Sequence, residues 1–268
     1  MEMKKFLKIL VIVLIAVSAL SFCMAAAKRI TDKAGVVSFN MGGLSDRFTV
    51  SSNITTHNLG ELRFHGIEAA TAAKVTVRSA DDPSRDVILR VNENMAEKVE
   101  LKVRSGILKI GLKNDRYSFK KLNTVTFEVS VPHCDGLSSL EAVAAAEINV
   151  TSPLTAPKID MEASGAAKIT ATLDCTECEA EAAGASKIIL TGRCRKLEAD
   201  ASGASKIDAE MCESATCKAE ASGASKVSVW CTERLNAEAS GASKVTYRGD
   251  CSTRSSASGA SRVSKADK

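Results

Sequence analysis

Small apolar residues alternate with polar ones through the second half of the chain, and short turns interrupt the alternation. Residues 197–201 read Leu-Glu-Ala-Asp-Ala, and residues 206–209 read Lys-Ile-Asp-Ala on the other side of Gly203. A period of two is typical of a β-strand that buries one face. The pattern therefore predicts a strand, a tight Ser-Gly-Ala corner and a second strand. Glycine suits such a corner because it adopts positive φ without steric cost.

This unit recurs six times at a nearly constant spacing. Its central glycines follow one another at intervals of 18 to 20 residues: Gly165, Gly184, Gly203, Gly223, Gly241 and Gly259. A looser copy centred on Ala144 lies 21 residues before the first of them. A fixed period near 20 is typical of a solenoid in which each repeat forms one coil. The sequence thus predicts an all-β solenoid with about 18–21 residues per coil.

Equivalent positions of the repeats form columns, which we number from the central glycine. Position +4 is β-branched and is predicted to form a buried ladder: Ile169, Ile188, Ile207, Val227, Val245 and Val263. Position +3 is basic: Lys168, Lys187, Lys206, Lys226, Lys244 and Arg262. Position −3 is acidic in five copies: Glu162, Glu181, Asp200, Glu220 and Glu238. Because acid matches base almost coil for coil, we expect a solvated, mutually neutralising face; a basic stripe for polyanions is the alternative.

The start of the chain has the pattern of an export signal. Lysines at 4, 5 and 8 precede an apolar run over residues 10–20, and small residues at 25–27 supply a cleavage region. We predict a signal peptide over residues 1–27. A membrane anchor through residues 6–27 is the alternative, because that stretch is nearly long enough to span a bilayer. The mature protein is expected in the periplasm or at the cell surface, in association with the outer membrane.

Cysteine usage agrees with export. Eight of the nine cysteines lie beyond the signal segment, and an even number in an exported chain is typical of disulfides. Six lie 8 to 11 residues before a coil centre and form a candidate disulfide column: Cys134, Cys175, Cys194, Cys212, Cys231 and Cys251. Equivalent Cα atoms of neighbouring coils suit a disulfide, so bridges between coils are predicted, with their pairing open. The single CxxC at Cys175–Cys178 lacks partners for zinc, and neither a metal nor a cofactor is predicted.

The repeats, together with the preceding segment Val99-Glu-Leu-Lys-Val-Arg-Ser-Gly-Ile-Leu-Lys-Ile110, resemble a bacterial family. It is described as "putative auto-transporter adhesin, head GIN domain", and the resemblance covers roughly residues 60–263. It implies a right-handed parallel β-helix of the pectin-lyase-like kind, exported to the envelope, with a role in adhesion. A left-handed helix is the alternative fold, although the chain has no six-residue sub-period. The cysteine column departs from the family pattern.

The chain divides into five predicted segments. They are a signal peptide or anchor (1–27), an N-terminal extension (28–58), a β-rich first half of the solenoid (59–135), the regular repeats (136–263) and a polar tail (264–268). The expected function is non-enzymatic binding of a glycan or protein at the cell envelope. Homo-oligomer formation is left open. Nucleic acid is not expected, because the net charge is only +4 and no basic cluster contains aromatic residues.

Two other functions remain as alternatives. A polysaccharide-active enzyme needs a local cluster of acids and bases that breaks the repeat, whereas here one acid and one base recur in each coil. The second alternative is a purely structural envelope protein. Serines at position −1 offer hydroxyl groups to sugars, although we expect them to bond the corner backbone instead: Ser164, Ser202, Ser222, Ser240 and Ser258.

Overall fold

The computed structural model describes residues 47–48, 51–113, 118–119 and 125–266. The predicted signal peptide and most of the predicted extension lie outside these residues. Residues Ser45–Lys268 form one compact unit, and its described part is a β-solenoid of about seven turns. The predicted fold class is confirmed, and the right-handed sense stays a prediction. Among the described residues, no helix combines the length and the apolar character that a membrane span requires.

The first part of the unit contains nine short strands. They are β1 (Arg47–Phe48), β2 (Ile54–Glu61), β3 (Gly66–Ala69), β4 (Lys74–Val77), β5 (Asp86–Asn92), β6 (Val99–Arg104), β7 (Ile107–Leu112), β8 (Ser118–Phe119) and β9 (Phe127–Val131). A 3₁₀ helix over Glu93–Lys98 joins β5 to β6. Larger side chains fill this part of the core, among them Phe127 and Met95, each 1% exposed.

The second part contains the repeats. Its strands are β10 (Ser139–Ala142), β11 (Glu147–Val150), β12 (Lys158–Ala163), β13 (Lys168–Ala182), β14 (Lys187–Ala201), β15 (Lys206–Ala221), β16 (Lys226–Ala239), β17 (Lys244–Arg248), β18 (Ser252–Ala257) and β19 (Arg262–Lys265). Four of these strands, β13 to β16, run from one glycine corner to the next. The chain therefore stays extended between successive glycine corners.

Stacked coils form two parallel sheets that meet at the glycine corner. The pre-corner sheet contains the segments that lead into each glycine, and there Ala182 is the register partner of Ala201. The post-corner sheet contains the segments that follow it, and there Ile188 pairs with Ile207, which pairs with Val227. These three β-branched side chains are fully buried. The predicted internal ladder at position +4 is thus confirmed from Ile169 to Val245, and its last member, Val263, is partly buried.

The first part joins the stack out of chain order. In the pre-corner sheet β7 pairs with β3, and β3 pairs with β10; in the post-corner sheet β9 pairs with β4, and β4 pairs with β11. Strands β7 and β9 therefore lie at the end of the stack, and β3 and β4 lie between them and the repeats. Antiparallel β6 covers the outer edge of β7, and antiparallel β5 covers that of β9. At the other end, β18 and β19 pair within the described residues on one side only.

Candidate functional site

The glycine corners bring the backbones of successive coils very close together. Gly203 has φ +76°, and a Cβ atom added there would lie 2.8 Å from the carbonyl oxygen of Gly184. The same carbonyl accepts a hydrogen bond from the amide of Ala204 at 2.7 Å. Glycine is required here for both reasons, because a side chain would be strained at this φ and would press on the coil below.

Serines at position +2 hold each corner to the preceding coil, a role that we did not predict from the sequence. Ser205 is 2% exposed, and its hydroxyl group contacts the carbonyl oxygens of Ala182 at 2.9 Å and Ser202 at 2.8 Å. The bond to the coil below recurs at Ser186, Ser225, Ser243 and Ser261. The signal was visible in the sequence, because serine also recurs at +2. The sequence alone did not indicate that the +2 serines, rather than the −1 serines, bond the backbone of the neighbouring coil.

The −1 serines do not serve the corner in this way. Ser164, Ser202 and Ser222 are half-buried, and Ser240 and Ser258 are exposed. In the described part of the chain none of their hydroxyl groups makes a hydrogen bond, although the backbone of each corner is well bonded. These hydroxyl groups are thus available to a ligand, contrary to our expectation that they bond the corner backbone.

Lysines of the pre-corner sheet are paired with carboxylates. Lys196 contacts Glu177 at 2.7 Å and Glu198 at 2.8 Å, and Lys158 and Lys218 also make ion pairs on this face. Hydrogen bonds to these carboxylates raise the pKa of Lys158 and of Lys196 above the ordinary lysine value. These three lysines are therefore neutralised by acids of the same sheet, whereas Arg234 and Arg254 of this sheet make no ion pair within the described residues.

Cations at position +3 of the post-corner sheet differ along the stack. Two of them pair with carboxylates of their own sheet: Lys168 with Glu147 at 3.1 Å, and Lys206 with Asp208 at 2.6 Å. Within the described residues the remaining four have no ion pair: Lys187, Lys226, Lys244 and Arg262. The expected neutralisation across the corner is thus not seen for these four residues.

The acidic column of the pre-corner sheet stacks like charges. Glu141 is the register partner of Glu68 on one side and of Glu162 on the other. Burial, followed by the charges of these two carboxylates, raises the pKa of Glu141. Burial and the carboxylate of Glu220 likewise raise the pKa of Asp200. Parallel, in-register pairing produces this repulsion between carboxylates because it places equivalent positions of successive coils directly above one another.

The structure brings part of the candidate cysteine column together. Cys175 is the register partner of Cys194, Cys194 of Ser214, and Ser214 of Cys231. Cys212 lies two residues before Ser214, because the register shifts between β14 and β15. Cys134 is not part of this column and lines an open pocket of the first part. All eight cysteines of the described residues are free thiols in the structure, so disulfide formation stays a prediction.

Six thiols of the repeats shift one another's pKa in two thiol groups, Cys175–Cys194–Cys212 and Cys217–Cys231–Cys251. Cys194 also lies 3.3 Å from the hydroxyl oxygen of Ser214. Hydrogen bonds from its two neighbouring thiols lower the pKa of Cys194, and the same contacts, with burial, raise the pKa of Cys175 and of Cys212. The described residues contain no group of three or more His, Cys, Asp or Glu arranged to hold a metal ion.

Comparison with known proteins places this geometry in a family. The model of a family described as "putative auto-transporter adhesin, head GIN domain" matches residues 63–251. None of the curated proteins matches the chain.

Solved bacterial structures share the fold. A putative adhesin from Bacteroides fragilis is 16% identical with a TM-score of 0.67, and the match covers 80% of this chain and 97% of that one. A putative adhesin from Parabacteroides distasonis is 18% identical with a TM-score of 0.63, covering 80% and 97%. A putative lipid binding protein from the same species is 17% identical with a TM-score of 0.63, covering 81% and 98%. At these identities the likeness extends to the fold alone.

Proposed function

Because the chain belongs to the family described as "putative auto-transporter adhesin, head GIN domain", we propose that it is an exported, non-enzymatic binding module of the bacterial envelope. The observation that carries this proposal is the family match over residues 63–251. The stacked coils support it, because they present the same side chains once per coil on flat faces. Such a surface suits a repetitive ligand, for which a glycan or a partner protein is the expected class.

The distribution of acids and bases supports binding rather than catalysis. Carboxylates and ammonium groups recur along the stack, whereas a catalytic cluster would be local and would break the repeat. His57, His65 and His133 all lie outside the repeats. His57, on β2, contacts the hydroxyl group of Thr55 at 2.9 Å. A polysaccharide-active enzyme therefore has less support than a binding module.

Protease treatment of intact cells tests the location. An adhesin at the cell surface is removed by the protease while a periplasmic control protein survives. Protection of the chain until the outer membrane is opened would contradict surface exposure and would point to a partner inside the envelope. N-terminal sequencing of the mature protein distinguishes a cleaved signal, with a start near Ala27 or Lys28, from an anchor that retains residues 6–27.

Export would also expose the thiols to oxidation, and Cys175–Cys194 is the pair that we expect to bridge. Neighbouring strands about 4.8 Å apart bring the two Cα atoms within the range that a disulfide spans. One of the two thiolates attacks a disulfide oxidant of the compartment, and the other then displaces the oxidant from the mixed disulfide. One protein disulfide forms while the oxidant leaves as two thiols.

Mass spectrometry of unreduced protein from the envelope tests this bridge. A linked pair of peptides containing Cys175 and Cys194 is expected, and reduction should lower the free energy of unfolding by about 3 kcal/mol. Complete alkylation of both thiols without prior reduction would contradict the bridge. The Cys134→Ser variant is the matched control, because Cys134 belongs to neither thiol group of the repeats. Its loss should leave the linked pair in place.

A further inference from the structure

The post-corner sheet of the last three coils carries cations and no carboxylate. Its segments are residues 226–230, 244–248 and 262–266, and neither aspartate nor glutamate occurs in any of them. Lys226, Lys244 and Arg262 are successive register partners in this sheet. Arg248 belongs to the same sheet, four residues after Lys244. We call these four residues the basic strip.

The basic strip contrasts with the lysines of the pre-corner sheet. Lys158, Lys196 and Lys218 of the pre-corner sheet each make an ion pair with a carboxylate. In the described part of the chain, the members of the basic strip make none. Lys244 and Arg262 are exposed, and Lys226 and Arg248 are half-buried. Among the described residues, these three coils therefore present four cations without an ion pair, two of them in the coil of β17, while Lys265 of the same sheet is paired with Asp250 at 2.7 Å.

Arg248 is the most constrained member of the strip. Its guanidinium carbon lies 3.9 Å from the centroid of the Trp230 ring, a cation–π geometry that fixes the group against the sheet. Its Nε atom is buried and has no hydrogen-bond partner among the described residues. Among the described residues, its guanidinium group also contacts the sulfur of Met211, which lies 4.0 Å from Nη2. An arginine that is held in place but lacks an acceptor is suited to bind a carboxylate or a sulfate.

We propose that the basic strip binds an anionic polysaccharide that lies along the solenoid axis. This inference rests on the proposed function, because it names the ligand class of the binding module. Carboxylate or sulfate groups of successive sugars would pair with Lys226, Lys244 and Arg262, one per coil. The coil spacing of about 4.8 Å is comparable to the rise of one sugar residue in an extended polysaccharide.

The surroundings of the strip favour a polysaccharide over a nucleic acid. Ser240 and Ser258, at the corners of the same coils, are exposed and offer unbonded hydroxyl groups to sugar hydroxyls. Trp230 is the only tryptophan of the chain, and Arg248 already covers its ring. A single-stranded nucleic acid would need several open aromatic faces on which its bases could stack. The acidic column on the adjoining sheet also opposes the wrapping of a polyanion around the solenoid.

Affinity electrophoresis with polygalacturonate as the probe tests the proposal on the full chain. The key variant is Lys226→Gln/Lys244→Gln/Arg262→Gln, and its matched control is Lys158→Gln/Lys196→Gln/Lys218→Gln, which removes the same three charges from the other sheet. We expect wild-type protein and control to bind alike and the strip variant to bind about tenfold more weakly, with a reduced dependence on salt. Arg248→Gln alone should also weaken binding.

Several results would overturn the proposal. Equal losses in the strip variant and in its control would show that only net charge matters. Tighter binding of duplex DNA than of polygalacturonate at the same salt would reject the ligand class. Circular dichroism of each variant checks that the solenoid is intact, and Arg248→Gln provides a second variant if the triple substitution unfolds it. If the protein is exposed at the cell surface but does not bind polygalacturonate, the basic strip is rejected and the proposed function stands. If it binds polygalacturonate but is never exported, the proposed function is rejected and the basic strip stands.

Discussion

The first part of the solenoid and its regular repeats differ in the order in which their strands stack and in the residues that form their corners. The repeats stack strictly in chain order, with glycine at every corner and small residues beside it. The first part places β7 and β9 outside β3 and β4, and its corners use Thr71 (φ 69°) and, at the junction with the repeats, Ala144 (φ 64°). Antiparallel β6 and β5 cover the outer edges of β7 and β9, whereas β18 and β19 pair on one side only within the described residues. The difference teaches that identical corners suffice inside the stack, whereas the covered edges of the first part use strands of another direction.

The largest expected effect comes from a corner inside the repeats. We expect Gly203→Ala to lower the free energy of unfolding by about 3 kcal/mol, because left-handed strain adds to the close contact with Gly184. Gly136 provides the control, since its φ is +79° and a Cβ atom there would meet nothing within 4 Å. Gly136→Ala should cost only about 1 to 2 kcal/mol. Equal losses in denaturant titrations would refute the role of stacking.

The next effect separates the two serines of a corner. Ser205→Ala removes a buried hydroxyl group that bonds the coil below and should cost about 1 to 2 kcal/mol. Ser202→Ala is the matched control and should change the free energy of unfolding by less than about 0.5 kcal/mol. Thermal unfolding of both variants measures the difference. A larger loss for Ser202→Ala would show that the −1 serine bonds the corner after all.

Sequence reasoning recovered the features that repeat and missed those that depend on how coils meet. The glycine corners and the +4 ladder follow from local alternation, so both could be predicted. The order in which β3, β4, β7 and β9 stack could not be predicted, because it depends on pairing between segments that are far apart in the sequence. The cation–π contact of Arg248 with Trp230 likewise depends on which residues fall opposite each other in neighbouring coils. Counting acids and bases in the −3 and +3 columns therefore did not predict which lysines form ion pairs.

A smaller effect of opposite sign is expected at the junction between the two parts. Ala144 occupies a corner with φ 64°. Ala144→Gly should raise the free energy of unfolding by roughly 0.5 to 1 kcal/mol, because relief of left-handed strain exceeds the added entropy of the unfolded chain. Its neighbour Ala145 has no positive φ, so Ala145→Gly should lower stability by about 0.5 to 1 kcal/mol. If urea titrations show that both variants change the free energy of unfolding in the same direction, the left-handed strain at Ala144 is refuted.

The smallest effect distinguishes the two parts by pH. Burial and the neighbouring carboxylates raise the pKa of Glu141 in the stack, whereas the hydrogen bond from Lys102 lowers the pKa of Glu100 on antiparallel β6. The ionised Glu141 therefore destabilises the fold at neutral pH, and this penalty disappears as the pH falls through its raised pKa. Glu141→Gln should raise the unfolding midpoint slightly at pH 7 and leave it unchanged below the ordinary glutamate pKa.

Glu100→Gln should behave in the opposite way, because the stabilisation by Lys102 exists above the ordinary pKa and is lost as the pH falls through the lowered one. The variant should thus be slightly less stable than wild type at pH 7 and equal to it in acid. Thermal midpoints measured from pH 7 down to pH 3 give both profiles. In-register stacking places Glu141 between two carboxylates, whereas Glu100 is contacted by Lys102, two residues further along its own strand. Profiles of the same sign would show that these nearest charges do not govern the pH dependence of stability.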